Sequence, residues 1–451
     1  MTEKTENNQS SDFGLRTSDF GPKIMIVAGE ASGDHHGAAL ARAFRQLYPD
    51  AQFEFFGSGG DEMRAAGVET LVDAREVAII GVPEIIRAFG KFYGAYRRLL
   101  AAARKRQPDV VVLIDWPDFN MRLARRLHRE GFKVVYYISP QVWAWRRYRV
   151  RALRRDVDRM LVILPFEEEF YKQHGVEVEY VGHPVAETVK HSATRDEFAR
   201  RHRLDPARPI VALLPGSRRK EVHYHLPAMI DAAKRLRDSD CFACSVESSR
   251  RGEWLQAADR VLLQSARAEI SYLRFEISNI ESEIHVPQFV LPLASTIERS
   301  QIEEIINATE GRERLDISII ERDTYNALAH SEFAVVASGT ATVETALMGT
   351  PMVIVYRASE LNYRLLRPLI HLDTFGMINL IAGRKIVPEL IQRDVTGERI
   401  ASEVTGILSN GTRLEQMRHD LEEVRDRLRA TGGSGAERAA RAVMKIVYES
   451  K

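Results

Sequence analysis

Short apolar runs of strand length recur along this chain, separated by amphipathic helical patterns, and that alternation limits the possible fold more than any single motif. In the first half the runs are Lys23–Ala28, Phe53–Phe56, Val110–Ile114, Val134–Ile138, Met160–Ile163 and Val178–Val181, with helical patterns such as Ala38–Leu47 and Met121–Glu130 between them. Strands covered on both faces read as unbroken Val/Ile/Leu runs and need crossover helices, so the pattern predicts parallel βαβ units. It breaks in a charged, proline-bearing stretch, Val189–Pro209. It restarts with Ile210–Leu214, a helix over Leu226–Leu236, Phe289–Leu291, Ile317–Ile319, Phe333–Val336 and Met352–Val355. The 451 residues exceed the roughly 250–300 that one core serves. The expectation is therefore an α/β protein of two doubly wound parallel-sheet domains, residues 23–190 and 205–395, facing a central cleft. Charged helical patterns over 396–451 predict closing helices, and residues 1–22 read as a polar, disordered tail.

One segment departs from the alternation. Between about 239 and 286 the apolar positions Ala266, Ile270, Leu273, Ile277, Ile280 and Ile284 step by four and three, which describes a helical seam. A helix packed on its own domain and a protruding arm that makes a homodimer are the two readings. The two cysteines, Cys241 and Cys244, lie in this segment with no second pair to complete a zinc site, and are read as reduced thiols.

Composition excludes several classes. Lys and Arg number 64 against 63 Asp and Glu, a net charge of +1, so nothing global demands nucleic acid. No run approaches the roughly 18 apolar residues of a spanning helix. The first residues lack the basic flank and apolar centre of a secretory signal. These features together predict a cytoplasmic protein, with attachment to a membrane surface open.

Three strand ends lead into small-residue loops that open helices: Val27–Asp34, Leu214–Glu221 and Val336–Glu344. Such loops let backbone amides and a helix N-terminus approach an anion, and they lie at the edge where open α/β sheets bind ligands. In the second loop Gly216, Ser217 and Arg218 suit a diphosphate, with pairing of Arg218 to a structural carboxylate as the other reading. In the third, Ser338, Gly339 and Thr340 offer hydroxyls and amides, and Glu344 suits the two hydroxyls of a ribose. The first loop, with Glu30, Ser32 and Gly33 but no cation, suits sugar hydroxyls. At the end of Val110–Ile114, Asp115 stands where a cleft base belongs, and burial beside Trp116 would raise its pKa. Asp118 or Asn120 is read as the cap of a helix from Met121. Glu30 and Asp115 as a glycosidase pair is the weaker reading, because three anion loops have no use in cleaving an uncharged glycoside.

A helix opened by Pro83 would carry Ile85, Ile86, Phe89, Phe92, Tyr93 and Tyr96 beside Arg87, Lys91, Arg97 and Arg98. That composition fits either a membrane interface or core packing. Downstream, Gln141–Tyr148 followed by Arg149, Arg151, Arg154 and Arg155 is basic and aromatic, which favours anionic lipid headgroups or a phosphorylated acceptor over single-stranded nucleic acid.

Taken in order, Ala28–Asp34, Ile114–Asn120, Ser139–Arg146, Leu164–Glu167, Gly182–His183, Leu213–Arg218, Ala337–Ala341 with Glu344, and Asn379–Arg384 resemble the motifs of the bacterial lipid-A-disaccharide synthases, glycosyltransferases of the two-domain GT-B type. The resemblance covers about residues 23–395. It implies transfer of 2,3-diacylglucosamine from its UDP-activated form to 2,3-diacylglucosamine 1-phosphate, giving a β(1→6) disaccharide and UDP with inversion and without a cofactor or metal. It implies Asp115 as catalytic base, Arg218, Ser338–Thr340 and Glu344 around UDP, Glu30 and Ser32 toward the sugar, and Asn379 among the substrate-binding residues. The helix over 83–100 coincides with the family's membrane and acyl region, which implies a cytoplasmic enzyme peripheral to the inner leaflet. Another GT-B enzyme on a UDP-sugar, such as a UDP-N-acetylglucosamine 2-epimerase, is the alternative. Trp116, the tail and residues 239–286 depart from the family pattern.

Overall fold

The computed structural model describes residues 21–77, 85–239, 286–310, 315–360, 363–364, 374–429 and 432–449. The helical seam, both cysteines, Pro83 and most of the N-terminal tail lie outside them, as do the side chains of residues 85–89. Within them the chain builds two parallel sheets. The first contains β1 (Lys23–Val27), β2 (Glu54–Gly59), β3 (Glu69–Asp73), β4 (Val110–Ile114), β5 (Val134–Tyr137), β6 (Arg159–Val162) and β7 (Val178–Tyr180), in the order β3-β2-β1-β4-β5-β6-β7. The second contains β8 (Ile210–Leu214), β9 (Gln288–Leu293), β10 (Ile317–Glu321), β11 (Phe333–Ala337), β12 (Met352–Tyr356) and β13 (Glu389–Ile391), in the order β10-β9-β8-β11-β12-β13.

The alternation of side chains along a strand accounts for the layering. In the first sheet Met25, Val27, Val111, Leu113 and Tyr136 enter one core with Leu99, Leu123 and Leu127. Their neighbours Ile24, Ile26, Val112, Ile114 and Tyr137 enter another on the opposite face. A run such as Val-Val-Val-Leu-Ile at β4 is thus apolar throughout because both of its faces are covered.

Two short strands escape the sequence reading. β3, Glu-Thr-Leu-Val-Asp, is an edge strand with one fully buried residue, and β13 has three residues at the opposite edge of its sheet. β3 has only Leu71 and Val72 between its charged ends and β13 only Leu390 and Ile391, apolar runs too short to mark a strand. A second difference has consequences for the site. The helix after β4 starts at Pro117, with proline in its first turn and Trp116 as cap, rather than at Met121. Asn120 is therefore an interior helix residue and not a cap, and Asp118 lies in the first turn.

Three C-terminal helices follow. Gly397–Leu408 packs on Arg219–Arg237 and Gly411–Leu428 on Thr340–Leu347, both beside the second sheet, whereas Gly435–Glu449 returns to the first helix, Ala31–Leu47. Ala439, Val443 and Ile446 fill the same core as Ile24 and Ile114. The return is pinned where Arg438 Nε donates to the Val181 carbonyl at 2.8 Å and the Tyr180 hydroxyl to that of Arg427 at 2.9 Å.

Candidate functional site

Strand order reverses between β1 and β4 in the first sheet and between β8 and β11 in the second. The crevice beyond the carboxyl ends at such a reversal is where doubly wound sheets take ligands. The loops that leave these four strands are the four segments singled out from the sequence.

In the second sheet, two of these loops wall one cavity of about 800 Å³, lined by Gly216 and Ser217 from the β8 loop and by Ser338, Gly339, Thr340 and Glu344 from the β11 loop. Its remaining wall includes Lys190, Arg322 and Tyr325, none of which the sequence reading had named. Lys190 belongs to the connection between the sheets and Arg322 to a turn after β10 with φ 56°. Neither lies in a motif or a regular element. The Tyr325 hydroxyl donates to the Glu344 carboxylate, which burial raises above the usual carboxylate pKa.

The β8 loop is held from within. Gly216 has φ 122°, and a Cβ there would meet the Glu221 side chain. Glu221 Oε2 accepts from the amides of Ser217 at 3.0 Å and Arg218 at 3.2 Å, and its Oε1 lies 3.2 Å from Arg218 Nη1. Arg218, with its side chain 82% exposed, thus pairs with a carboxylate of its own helix and does not line the cavity. His225 ties this loop to the next: Nδ1 donates to the Pro215 carbonyl at 2.8 Å, and Nε2 accepts from the Arg357 amide at 2.9 Å. The two bonds fix the neutral tautomer, and burial lowers the imidazole pKa.

Asn379 is spent internally. Its Nδ2 donates to the Val387 carbonyl at 2.9 Å and to Glu389 Oε1 at 2.7 Å, while its Oδ1 accepts from the amides of Ile386 and Val387. That uses the full capacity of the amide, so the expectation of a substrate contact is corrected. Its influence is indirect: Glu389 accepts from the amides of Phe375 and Gly376, and the Phe375 carbonyl accepts from the Ser338 hydroxyl at 3.1 Å.

In the first sheet, Glu30 and Ser32 are exposed at the start of Ala31–Leu47, whereas Gly33 is buried against Ala28 and serves packing. Asp115 stands at the end of β4. Burial pushes its carboxyl up to about 6, and the nearby charge of Glu30 adds to the shift. Beside it Trp116 and Phe119 stack, with Phe92 5.7 Å from the indole and Tyr96 6.3 Å from the Phe119 ring. The aromatic set thus divides: Phe92 and Tyr96 turn inward onto Trp116 and Phe119, and Tyr93 is 57% exposed. None of these residues lines the cavity of the second sheet.

The basic cluster is anchored from two sides. Arg146 and Arg149 reach Asp118 at 3.4 and 2.7 Å. The Glu167 carboxylate, 2% exposed, accepts from the Ser139 hydroxyl at 2.5 Å, Trp143 Nε1 at 3.0 Å and the Leu164 amide at 3.1 Å. Burial pushes Glu167 up to about 7. The segments Ser139–Arg146 and Leu164–Glu167 are therefore one hydrogen-bonded unit, a link the sequence showed only as two separate motifs.

The family model for lipid-A-disaccharide synthetase matches residues 24–252 and 246–445. The lipid-A-disaccharide synthase of Koribacter versatilis is 43% identical over 426 residues, 94% of this chain and 98% of that protein. In fold the chain is similar to UDP-GlcNAc 2-epimerase from Neisseria meningitidis bound to UDP-GlcNAc, with a TM-score of 0.51 at 9% identity over 95% of this chain and 100% of that one. It is likewise similar to CalG4, the calicheamicin glycosyltransferase, with a TM-score of 0.52 at 13% identity over 96% and 99%. The architecture is GT-B.

Proposed function

The chain belongs to the lipid-A-disaccharide synthase family, and from that premise we propose that it joins 2,3-diacylglucosamine, delivered as its UDP derivative, to 2,3-diacylglucosamine 1-phosphate with inversion at the anomeric carbon. The observation that carries the mechanism is Asp115, a carboxyl at the switch point of the first sheet that burial holds near pKa 6. A group of that pKa is ionised at neutral pH and still basic enough to take the proton from an attacking hydroxyl. As the acceptor 6-hydroxyl loses its proton to Asp115, its oxygen bonds to the anomeric carbon and the bond to the UDP oxygen breaks. One carboxylate suffices, because the departing diphosphate needs charge stabilisation rather than a covalent partner.

The cavity of the second sheet supplies the groups for UDP. Glu344, oriented by Tyr325, suits the ribose hydroxyls, and the amides and hydroxyls of 338–340 at the N-terminus of Thr340–Leu347 suit the diphosphate. Lys190 and Arg322 add positive charge in the same cavity, the role the sequence reading had given to Arg218. Glu30 and Ser32 are assigned to the sugar side.

Acylated substrates require access to a bilayer surface. No helix among the described residues is long and apolar enough to cross a membrane, which fits peripheral attachment at the cytoplasmic face of the inner membrane. Exposed Tyr93, Lys91, Arg97 and Arg98 on the helix Ile85–Arg106 support that reading. The reaction is tested by incubating the protein with both acylated substrates and identifying the product by mass spectrometry and anomeric NMR. A β-linked disaccharide 1-phosphate is expected; epimerisation of UDP-N-acetylglucosamine without disaccharide would reject the assignment.

A further inference from the structure

Strand β4 ends in a backbone conformation that L-residues rarely adopt. Asp115 and Trp116 have φ values of 45° and 50°, two consecutive non-glycine residues in the left-handed region. Such a turn persists only where its surroundings over-determine it.

Two fully buried side chains meet on one atom here. The Tyr136 hydroxyl, from the neighbouring β5, donates to the Asp115 carbonyl at 2.6 Å. Asn120 Nδ2, from the helix that follows, donates to the same carbonyl at 2.8 Å and to the Ile114 carbonyl at 3.1 Å. The Asp115 amide is held as well, donating to the Tyr137 carbonyl at 3.2 Å. Asn120 Oδ1 is left buried without a partner, a cost that protein interiors seldom carry. The opposite orientation would set that oxygen against two carbonyls, so the amide is committed to donating to the end of β4.

We propose that Asn120 and Tyr136 are positioning residues for Asp115: together they grip its carbonyl and lock the left-handed turn from which the carboxylate leaves the strand. The inference rests on Asp115 being the base. Both side chains are fully buried, and neither lines the nucleotide cavity.

The test uses the whole protein with Tyr136→Phe, which removes only a hydroxyl, and Asn120→Ala. Steady-state kinetics on the acylated substrates is combined with calorimetric binding of UDP and a melting curve. Misplacing a reacting group is costly, so each variant should lower kcat about tenfold or more, while the UDP Kd stays within about twofold because the cavity is untouched. Residues that act through Asp115 have nothing left to act on once it is removed. Adding Tyr136→Phe to Asp115→Asn should therefore cause no further loss of residual turnover.

A folded Tyr136→Phe protein with kcat within about twofold of the parent overturns the proposal, as does a loss that multiplies with that of Asp115→Asn. Loss of kcat accompanied by a parallel loss of UDP binding also overturns it, since that marks general damage. If Asn120→Ala fails to fold, Tyr136→Phe decides alone. Full turnover by Asp115→Asn would instead reject the base itself, a separate outcome from an inactive Asp115→Asn beside an unaffected Tyr136→Phe.

Discussion

The Trp116 indole lies on the Phe119 ring, with centroids 3.8 Å apart and planes inclined by 9°. The residue immediately after Asp115, the proposed base, is thereby part of an aromatic group that includes Phe92, 5.7 Å from the indole. The stack connects the helix Ile85–Arg106, which carries the exposed basic and tyrosine face, to the strand end that carries Asp115. It also bears on the first loop, because a Cβ built on Gly29 would fall inside the indole. Gly29 is required here for the ring that covers it.

Gly29→Ala should therefore destabilise the fold by about 1–3 kcal/mol, the usual cost of overpacking. Denaturant titration measures it. In a Trp116→Ala background the same substitution should cost far less, since the clash is removed; an equal cost in both backgrounds would disconnect Gly29 from the indole.

The Asp115 carboxyl gives two pH signatures of opposite sense. Activity needs the ionised base, so kcat/KM for the acceptor should fall tenfold per unit below about pH 6, the value to which burial pushes this group. For stability, the folded state holds the proton more tightly than the unfolded chain, whose carboxyl keeps its ordinary, lower pKa. Stability therefore falls as pH rises from the usual carboxylate range to about 6 and stays reduced above it. Asp115→Asn should consequently be more stable than the parent at neutral pH, by on the order of 2 kcal/mol, with the difference vanishing below about pH 4. Melting curves across pH check this.

Glu344→Ala should weaken UDP binding about tenfold or more, because it removes the carboxylate that Tyr325 orients on the cavity wall. At saturating donor its kcat should remain close to that of the parent. Calorimetry of UDP binding together with kcat separates the two effects, and unchanged affinity would remove Glu344 from the nucleotide site.

Glu167→Ala should cost roughly 2–4 kcal/mol, since it leaves the Ser139 hydroxyl, Trp143 Nε1 and the Leu164 amide without their common acceptor. The released segment carries Arg146 and Arg149 toward Asp118, so its protease sensitivity should rise before the rest of the protein unfolds. Limited proteolysis with product mapping reads that order.

The strands that sit at the centres of the sheets were legible because burial on both faces writes an uninterrupted apolar run, as at β4 and β8. β3 and β13 were not, because each holds only two adjacent apolar residues. The ligand loops were legible as strand ends, but their internal wiring was not. Arg218 reads from sequence as a phosphate ligand, yet Glu221, three residues away, takes up its charge and the loop amides. Asn379 sits in a family motif and proves to be spent on Glu389 and the backbone at 386–387. Asp118 or Asn120 reads as a cap only if the helix starts at Met121; Pro117, a proline at the first helical position, is the sequence signal for the earlier start that the structure shows. Lys190, Arg322 and Tyr325 reach the cavity through tertiary folding alone, and no spacing in the chain announces them.

The account centres on Asp115 as the base of an inverting transfer at the switch point of the first sheet. The most direct measurement is turnover of UDP-2,3-diacylglucosamine and 2,3-diacylglucosamine 1-phosphate by the parent and by Asp115→Asn, with UDP affinity measured on the same samples. The prediction is β-linked disaccharide 1-phosphate from the parent, a loss of at least about a hundredfold in Asp115→Asn and a nearly unchanged UDP Kd. Parental turnover by Asp115→Asn, or a large loss of UDP binding in its place, would contradict the account.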